Sequence, residues 1–167
     1  MRVRIAIKLH RCHLCNYRVL LFWAGFWYVE DMKDDIENDL QKYRDLMKDL
    51  AREMPQIVLA YIFGSTATNT RGPMSDYDFA VYLDEPDIKK RYDIKFSLMG
   101  KLSQALKTNK VDVAVINDTD NVYLKHAIIS KGKILFEKEP HKVIVEPKIL
   151  NEYFDFRMLI DKYQKIK

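Results

Sequence analysis

Seven consecutive apolar residues, "IVLAYIF" from Ile57 to Phe63, run without a polar interruption and stop at Gly64. A run of strand length, with no alternation between apolar and polar positions, suits a central β-strand buried on both faces. Two more apolar runs follow, "DYDFAVYL" at 76–83 and "VDVAVI" at 111–116, and "KILFE" at 133–137 suits a closing edge strand or hairpin arm. Between these strands the period changes. From Asp34 to Met54, Ile36, Leu40, Tyr43, Leu46, Met47 and Leu50 recur at three- and four-residue steps, which predicts an amphipathic helix ended by Pro55. Asp87 to Lys107 carries Ile88, Tyr92, Ile94, Phe96, Leu98, Met99, Leu102 and Leu106 mostly on one helical face, with lysines elsewhere. A short helix at 121–132 is closed by Gly132, and residues 147–166 form a last amphipathic helix with Pro147 near its start. Helices and strands alternate, but the connections are short and irregular. The expectation is a small α/β (α+β) fold with a mixed sheet flanked by helices.

At 167 residues the chain suits a single hydrophobic core. The 28 basic and 24 acidic residues leave a net charge of +4, compatible with an anionic ligand but too mild to name one. Cys12 and Cys15 are the only cysteines, which excludes a disulfide-stapled secreted scaffold. The opening 31 residues differ from the rest, with a basic Cys/His-bearing stretch followed by the apolar "VLLFWAGFWYV" at 19–29. Tyr28 to Asp31 lack the small residues of a signal-peptide cleavage site, and the run is about half the ~20 residues of a membrane span. His10, Cys12, His13 and Cys15 lack a second ligand pair at the distance a zinc site needs. The preferred reading is an extension, residues 1–31, upstream of a domain at 32–167. If instead the extension belongs to the working protein, it should be an added helix that lays its aromatics on the core. A cytoplasmic location is expected, with no membrane contact.

The chemistry concentrates in "GSTATNTRGPMSDYDFAVYL", residues 64–83. Alternate strand residues share a face, so Asp76 and Asp78 point the same way, where two carboxylates repel unless a cation sits between them. Hard oxygen ligands of this kind suit Mg²⁺, which completes its shell with waters and substrate phosphates. Asp112 heads a later strand; if that strand lies beside the second one, its carboxylate joins the site and completes a two-metal arrangement. Gly64 at a strand-to-helix turn lets backbone approach a phosphate, and the Ser65 hydroxyl adds a hydrogen bond near the start of a short helix over "STATNT". "RGPMS" then supplies turn chemistry. Either motif alone is commonplace, a turn or a solvated strand edge. Their order carries the weight: apolar strand, Gly-Ser, ten residues, Asp-x-Asp heading a second strand, then a third acidic residue heading another.

That order, carried by Gly64, Ser65, Asp76, Asp78 and Asp112, resembles the nucleotidyltransferase superfamily that includes DNA polymerase beta. Within it, the short length, the ten-residue spacer and the tail from Val111 to Glu137 are similar to the minimal nucleotidyltransferase antitoxins of the MntA type, from about Met32 onward. The resemblance implies a polymerase beta-like fold, two Mg²⁺ ions, ATP as substrate and a HEPN-domain ribonuclease toxin as partner, with no direct nucleic-acid binding. It implies transfer of AMP to a toxin tyrosine, repeatable on the same residue. Asp76 and Asp78 would hold the metals, Gly64 and Ser65 the triphosphate, and Asp112 the second metal and the attacking hydroxyl. Many relatives carry arginines soon after the Gly-Ser pair, where this chain has Thr66 and Thr68, with Arg71 later. Two alternatives stay open. One is a nucleotidyltransferase acting on a small molecule or an RNA end. The other is a non-catalytic module that masks a toxin through apolar residues of the last helix, such as Tyr153, Phe154, Phe156 and Leu159, although those residues would equally serve by packing on the sheet.

Overall fold

A computed structural model of the chain describes residues 10–11, 18–19, 31–67 and 75–164, with side chains from residue 39 onward. It divides into two units, Met1–Leu40 and Gln41–Lys167. In the first, β1 (His10–Arg11) pairs antiparallel with β2 (Arg18–Val19). Residues 20–29, Cys12, His13 and Cys15 lie outside the described residues, and with them the expectations of an added aromatic helix and of a zinc site. Among the described residues no helix is long and apolar enough to cross a membrane.

The second unit is built around β3 (Ile57–Phe63), in which every residue from Ile57 to Ile62 is buried, as its unbroken apolar run requires. β4 (Tyr77–Leu83) lies antiparallel on one side of it, and β6 (Lys133–Glu137) antiparallel on the other. β5 (Val111–Val115) lies parallel beyond β4, giving the order β5-β4-β3-β6 in a mixed sheet. β6 is thus an edge strand. The helices are α1 (Asp31–Glu53), α2 (Gly64–Ala67), α3 (Ile88–Leu106), α4 (Val122–Lys131) and α5 (His141–Gln164).

Side-chain alternation sorts the two faces of the sheet. On one, Phe79 and Tyr77 receive the ring of Tyr43 from α1 edge-on, with centroids 6.4 and 5.9 Å apart. Met47 and Leu50, one and two turns further along α1, are buried as the spacing predicts. On the other face Leu59, Tyr61 and Ala80 pack with Ile116, Ile128 of α4, and Val145 and Ile149 of α5. The Tyr61 hydroxyl donates to Glu146 Oε1 at 2.9 Å, and burial followed by this carboxylate pushes the phenol well above its usual pKa.

Local chemistry sets the ends. Asp87 and Asn121 cap α3 and α4, accepting from the Lys89 and Leu124 backbone N–H groups. Gly132 closes α4 with no room for a side chain: a Cβ there would lie 2.3 Å from the Ile128 carbonyl oxygen. Two expectations change. Pro147 lies inside α5, which begins six residues earlier at His141; the carbonyl it leaves without a donor belongs to Val143, 72% exposed, where water can serve it. The apolar residues of α3 do not form one buried face. Leu98 and Leu102 are buried, but Ile88, Tyr92 and Phe96 are 51%, 47% and 59% exposed. Steps of four put the last three on a stripe of their own, rotated away from the core.

Candidate active site

Three strands bring the expected residues to one end of the sheet. The register pairs Phe63 with Asp78 and Asp78 with Asp112, so on neighbouring strands these three side chains share a row on one face. Asp112 therefore stands beside Asp78, the arrangement that its place in the sequence left conditional. Asp76 precedes β4 rather than opening it, since the strand starts at Tyr77. It is exposed, and its main-chain carbonyl accepts from the Thr66 hydroxyl of α2 at 3.5 Å.

Gly64 closes the site from β3. Its φ of +65° is the left-handed conformation that side chains disfavour, and a Cβ at this position would lie 2.2 Å from Asp78 Oδ2. Only hydrogen fits between this backbone and the carboxylate. Ser65, the second residue of α2, is half-buried next to it. Residues 68–74, including Thr68, Arg71 and the expected turn, lie outside the described residues.

The electrostatics match the geometry. The Asp78 carboxyl is raised above the usual carboxylate range, first by burial, then by Asp112 and Asp76. All three effects disfavour the ionised form, and a cation would reverse them. Asp112 is held another way: its Oδ1 accepts the Val113 backbone N–H at 2.8 Å. Among the described residues no three carboxylate, histidine or cysteine side chains converge tightly enough to grip a metal as they stand. The donors are nonetheless hard oxygens on one face, with a glycine cradle against them, and this set fits Mg²⁺.

Two hollows border this face. One, of about 240 Å³, runs beside β5 and is lined by Tyr92 and Lys95 of α3 with Asp112, Asp118 and Thr119. The other, of about 340 Å³, lies by Tyr82 and Ile116 and touches none of the three carboxylates. The contribution of Tyr92 and Lys95 was not legible from motif spacing; the stripe Ile88–Tyr92–Phe96 was its available signal.

The polymerase beta nucleotidyltransferase family model matches residues 32–141. A protein named protein adenylyltransferase MntA, from Aphanizomenon flos-aquae (strain 2012/KM1/D3), is 30% identical over 113 residues, covering 64% of this chain and 74% of that protein. A crystal structure of a toxin-antitoxin with AMP-PNP shares the fold at a TM-score of 0.57 and 24% identity, over 72% of this chain and 98% of that one. So does a complex of tri-AMPylated Shewanella oneidensis HEPN toxin with MNT antitoxin, at a TM-score of 0.55 and 22% identity, over 75% and 98%. The extent of the family match and the identity to the Aphanizomenon flos-aquae protein settle the lineage: the chain belongs to the polymerase beta nucleotidyltransferase family.

Proposed function

We propose that the chain is a Mg²⁺-dependent protein adenylyltransferase, the antitoxin of a pair, that inactivates a HEPN-domain ribonuclease by moving AMP from ATP onto one of its tyrosines. The working domain is residues 32–167, acting in the cytoplasm. The observation that carries the chemistry is the cross-strand row of Asp78 and Asp112 with Gly64 against it. The names of the relatives support the acceptor, since one is an adenylyltransferase and another is bound to an AMPylated HEPN toxin.

In this reading Asp76 and Asp78, joined by Asp112, hold Mg²⁺, which supplies charge neutralisation along the triphosphate. Gly64 lets the main chain approach the phosphates, and Ser65 donates its hydroxyl to them. Asp112 takes the proton of the attacking tyrosine hydroxyl. The tyrosine oxygen bonds to the α-phosphorus, the bond from that phosphorus to the bridging oxygen breaks, and pyrophosphate leaves. Positioning in line and neutralising charge contribute most of the acceleration.

The test is transfer of label from α-labelled ATP, with Mg²⁺, to the purified product of the neighbouring gene. Label on a tyrosine that disappears with Asp76→Ala/Asp78→Ala is the expected result; label that persists in the double variant would falsify the assignment. The masking alternative keeps one observation in its favour. Tyr153 and Phe156 pack against Tyr123, with Tyr153 also stacked on His126 at 3.7 Å, but Phe154, Met158, Leu159 and Tyr163 of α5 are 57%, 71%, 55% and 71% exposed. A masking module would keep its partner silent without the aspartates.

A further inference from the structure

The carboxylate row has a direction. Gly64 leaves β3 against Asp78, and Asp112 stands on the far side of Asp78, on β5. With strands about 4.8 Å apart, β5 lies about 10 Å across the sheet from β3. In the reading above the triphosphate lies along Gly64 and Ser65, so pyrophosphate leaves on that side. An in-line displacement brings the attacking oxygen from the opposite side, which is past Asp112. The hollow of about 240 Å³ is found there, lined by β5 from Asp112 to Val115, by Tyr92 and Lys95 of α3, and by Asp118 and Thr119.

The two carboxylates of this lining are engaged elsewhere. Asp118 Oδ1 receives the Arg91 guanidinium through Nε and Nη2, and Asp112 Oδ1 receives the Val113 N–H. Lys95 is half-buried at the same hollow, and among the described residues it pairs with neither aspartate. An ammonium held there without a counter-charge suits an anion from outside. The surroundings suit a protein rather than a small anion. Ile88, Tyr92 and Phe96 form an exposed apolar stripe that leads out of the hollow along α3, and Lys89 and Lys90 stand exposed on the same helix. A surface of apolar residues edged by lysines is complementary to an acidic segment that carries aromatic or aliphatic side chains. The Tyr92 ring also offers an entering tyrosine an edge-to-face contact.

We propose that the hollow beside β5 is the acceptor subsite, entered by the tyrosine from the side opposite the triphosphate, and that Lys95 selects the acceptor by pairing with a carboxylate carried next to that tyrosine. The inference rests on the protein-adenylylating reading above. Nucleotide and acceptor are then read by opposite edges of the site, the first by the glycine turn after β3 and the second by one lysine of α3.

The test measures label transfer from α-labelled ATP, with Mg²⁺, to the purified product of the neighbouring gene, with KM taken separately for the acceptor and for ATP. Lys95→Glu should raise the acceptor KM by about tenfold or more and leave that for ATP unchanged, while Lys95→Arg stays near wild type. Lys95→Met should raise the acceptor KM less, and should flatten its rise with added salt. Mapping the labelled tyrosine then names the carboxylate beside it, and reversing that residue to Lys in the acceptor should restore transfer by Lys95→Glu. An unchanged acceptor KM in Lys95→Glu, an effect on the ATP KM instead, or a labelled tyrosine with no carboxylate near it overturns the subsite and leaves the transferase reading in place. No label from the wild-type protein overturns that reading, and the subsite with it.

Discussion

The two ends of β4 handle polar groups in opposite ways. At the C-terminal end, the Asn117 amide donates to the Leu83 carbonyl and accepts its N–H, both at 2.9 Å, and so extends the ladder with a side chain. Next to it the Arg91 guanidinium donates to Asp118 Oδ1 and to the carbonyls of Glu85 and Pro86, leaving one oxygen, Asp118 Oδ2, without a partner among the described residues. At the N-terminal end three carboxylates gather, Asp76 just ahead of β4 and Asp78 beside Asp112. All but one of the polar groups are matched at one end; at the other like charges lie close together. The contrast separates an end whose polar groups are largely paired within the fold from one where carboxylates crowd together.

Four measurements bear on that contrast, beginning with the largest effect. Asp78→Asn should lower AMP transfer by about 10³-fold or more, since it removes the central charge of the site. The same change should raise the melting temperature of the metal-free protein, by about 2–4 °C for each kcal/mol of repulsion relieved. A variant that loses both activity and stability would show that the carboxylate supports the fold. Gly64→Ala should cost about 10²-fold in transfer, because the new methyl displaces Asp78 and strains a left-handed backbone. Asn117→Ala attacks the other end. It strands the Leu83 N–H and carbonyl in a buried position, which costs about 1–3 kcal/mol, and transfer by the still-folded protein should be unaffected.

The smallest effect is a pH dependence. The folded-state pKa of Asp78 lies above its unfolded value, so the protonated form favours folding and its contribution is lost as pH rises through the folded pKa. Without metal, wild type and Asp78→Asn should melt together in acid and diverge toward neutrality, with the variant the more stable. A gap that widens instead as pH falls would reverse the sign assigned to the site.

The strands and the carboxylates were legible in the sequence for the same reason. Both depend on local pattern, an unbroken apolar run at Ile57–Ile62 and a two-residue alternation at Asp76–Asp78. Asp112 was legible as a strand-head charge, but its neighbour was not, because the parallel pairing of β4 with β5 is a choice of topology that no local spacing encodes. The turn of Asp112 onto Val113 follows from that edge position and was equally invisible. Pro147 misled because a proline usually marks the first turn of a helix, whereas here an exposed carbonyl at Val143 tolerates it deeper inside. On α3 the apolar count was right but its angular spread was not. Ile88, Tyr92 and Phe96 read as core until the helix is set against β5.

The pairing of Phe63 with Asp78 has a consequence for how such a protein can diversify. The chain leaves the sheet at Gly64 and returns at Tyr77, and both exits are clamped by the same antiparallel ladder. A segment pinned at its two ends can be exchanged for one of another length or composition at small entropic cost, since doubling a loop adds only about 0.6 kcal/mol. Length and composition can therefore change between Ala67 and Ser75 while Gly64, Ser65, Asp76 and Asp78 keep their places.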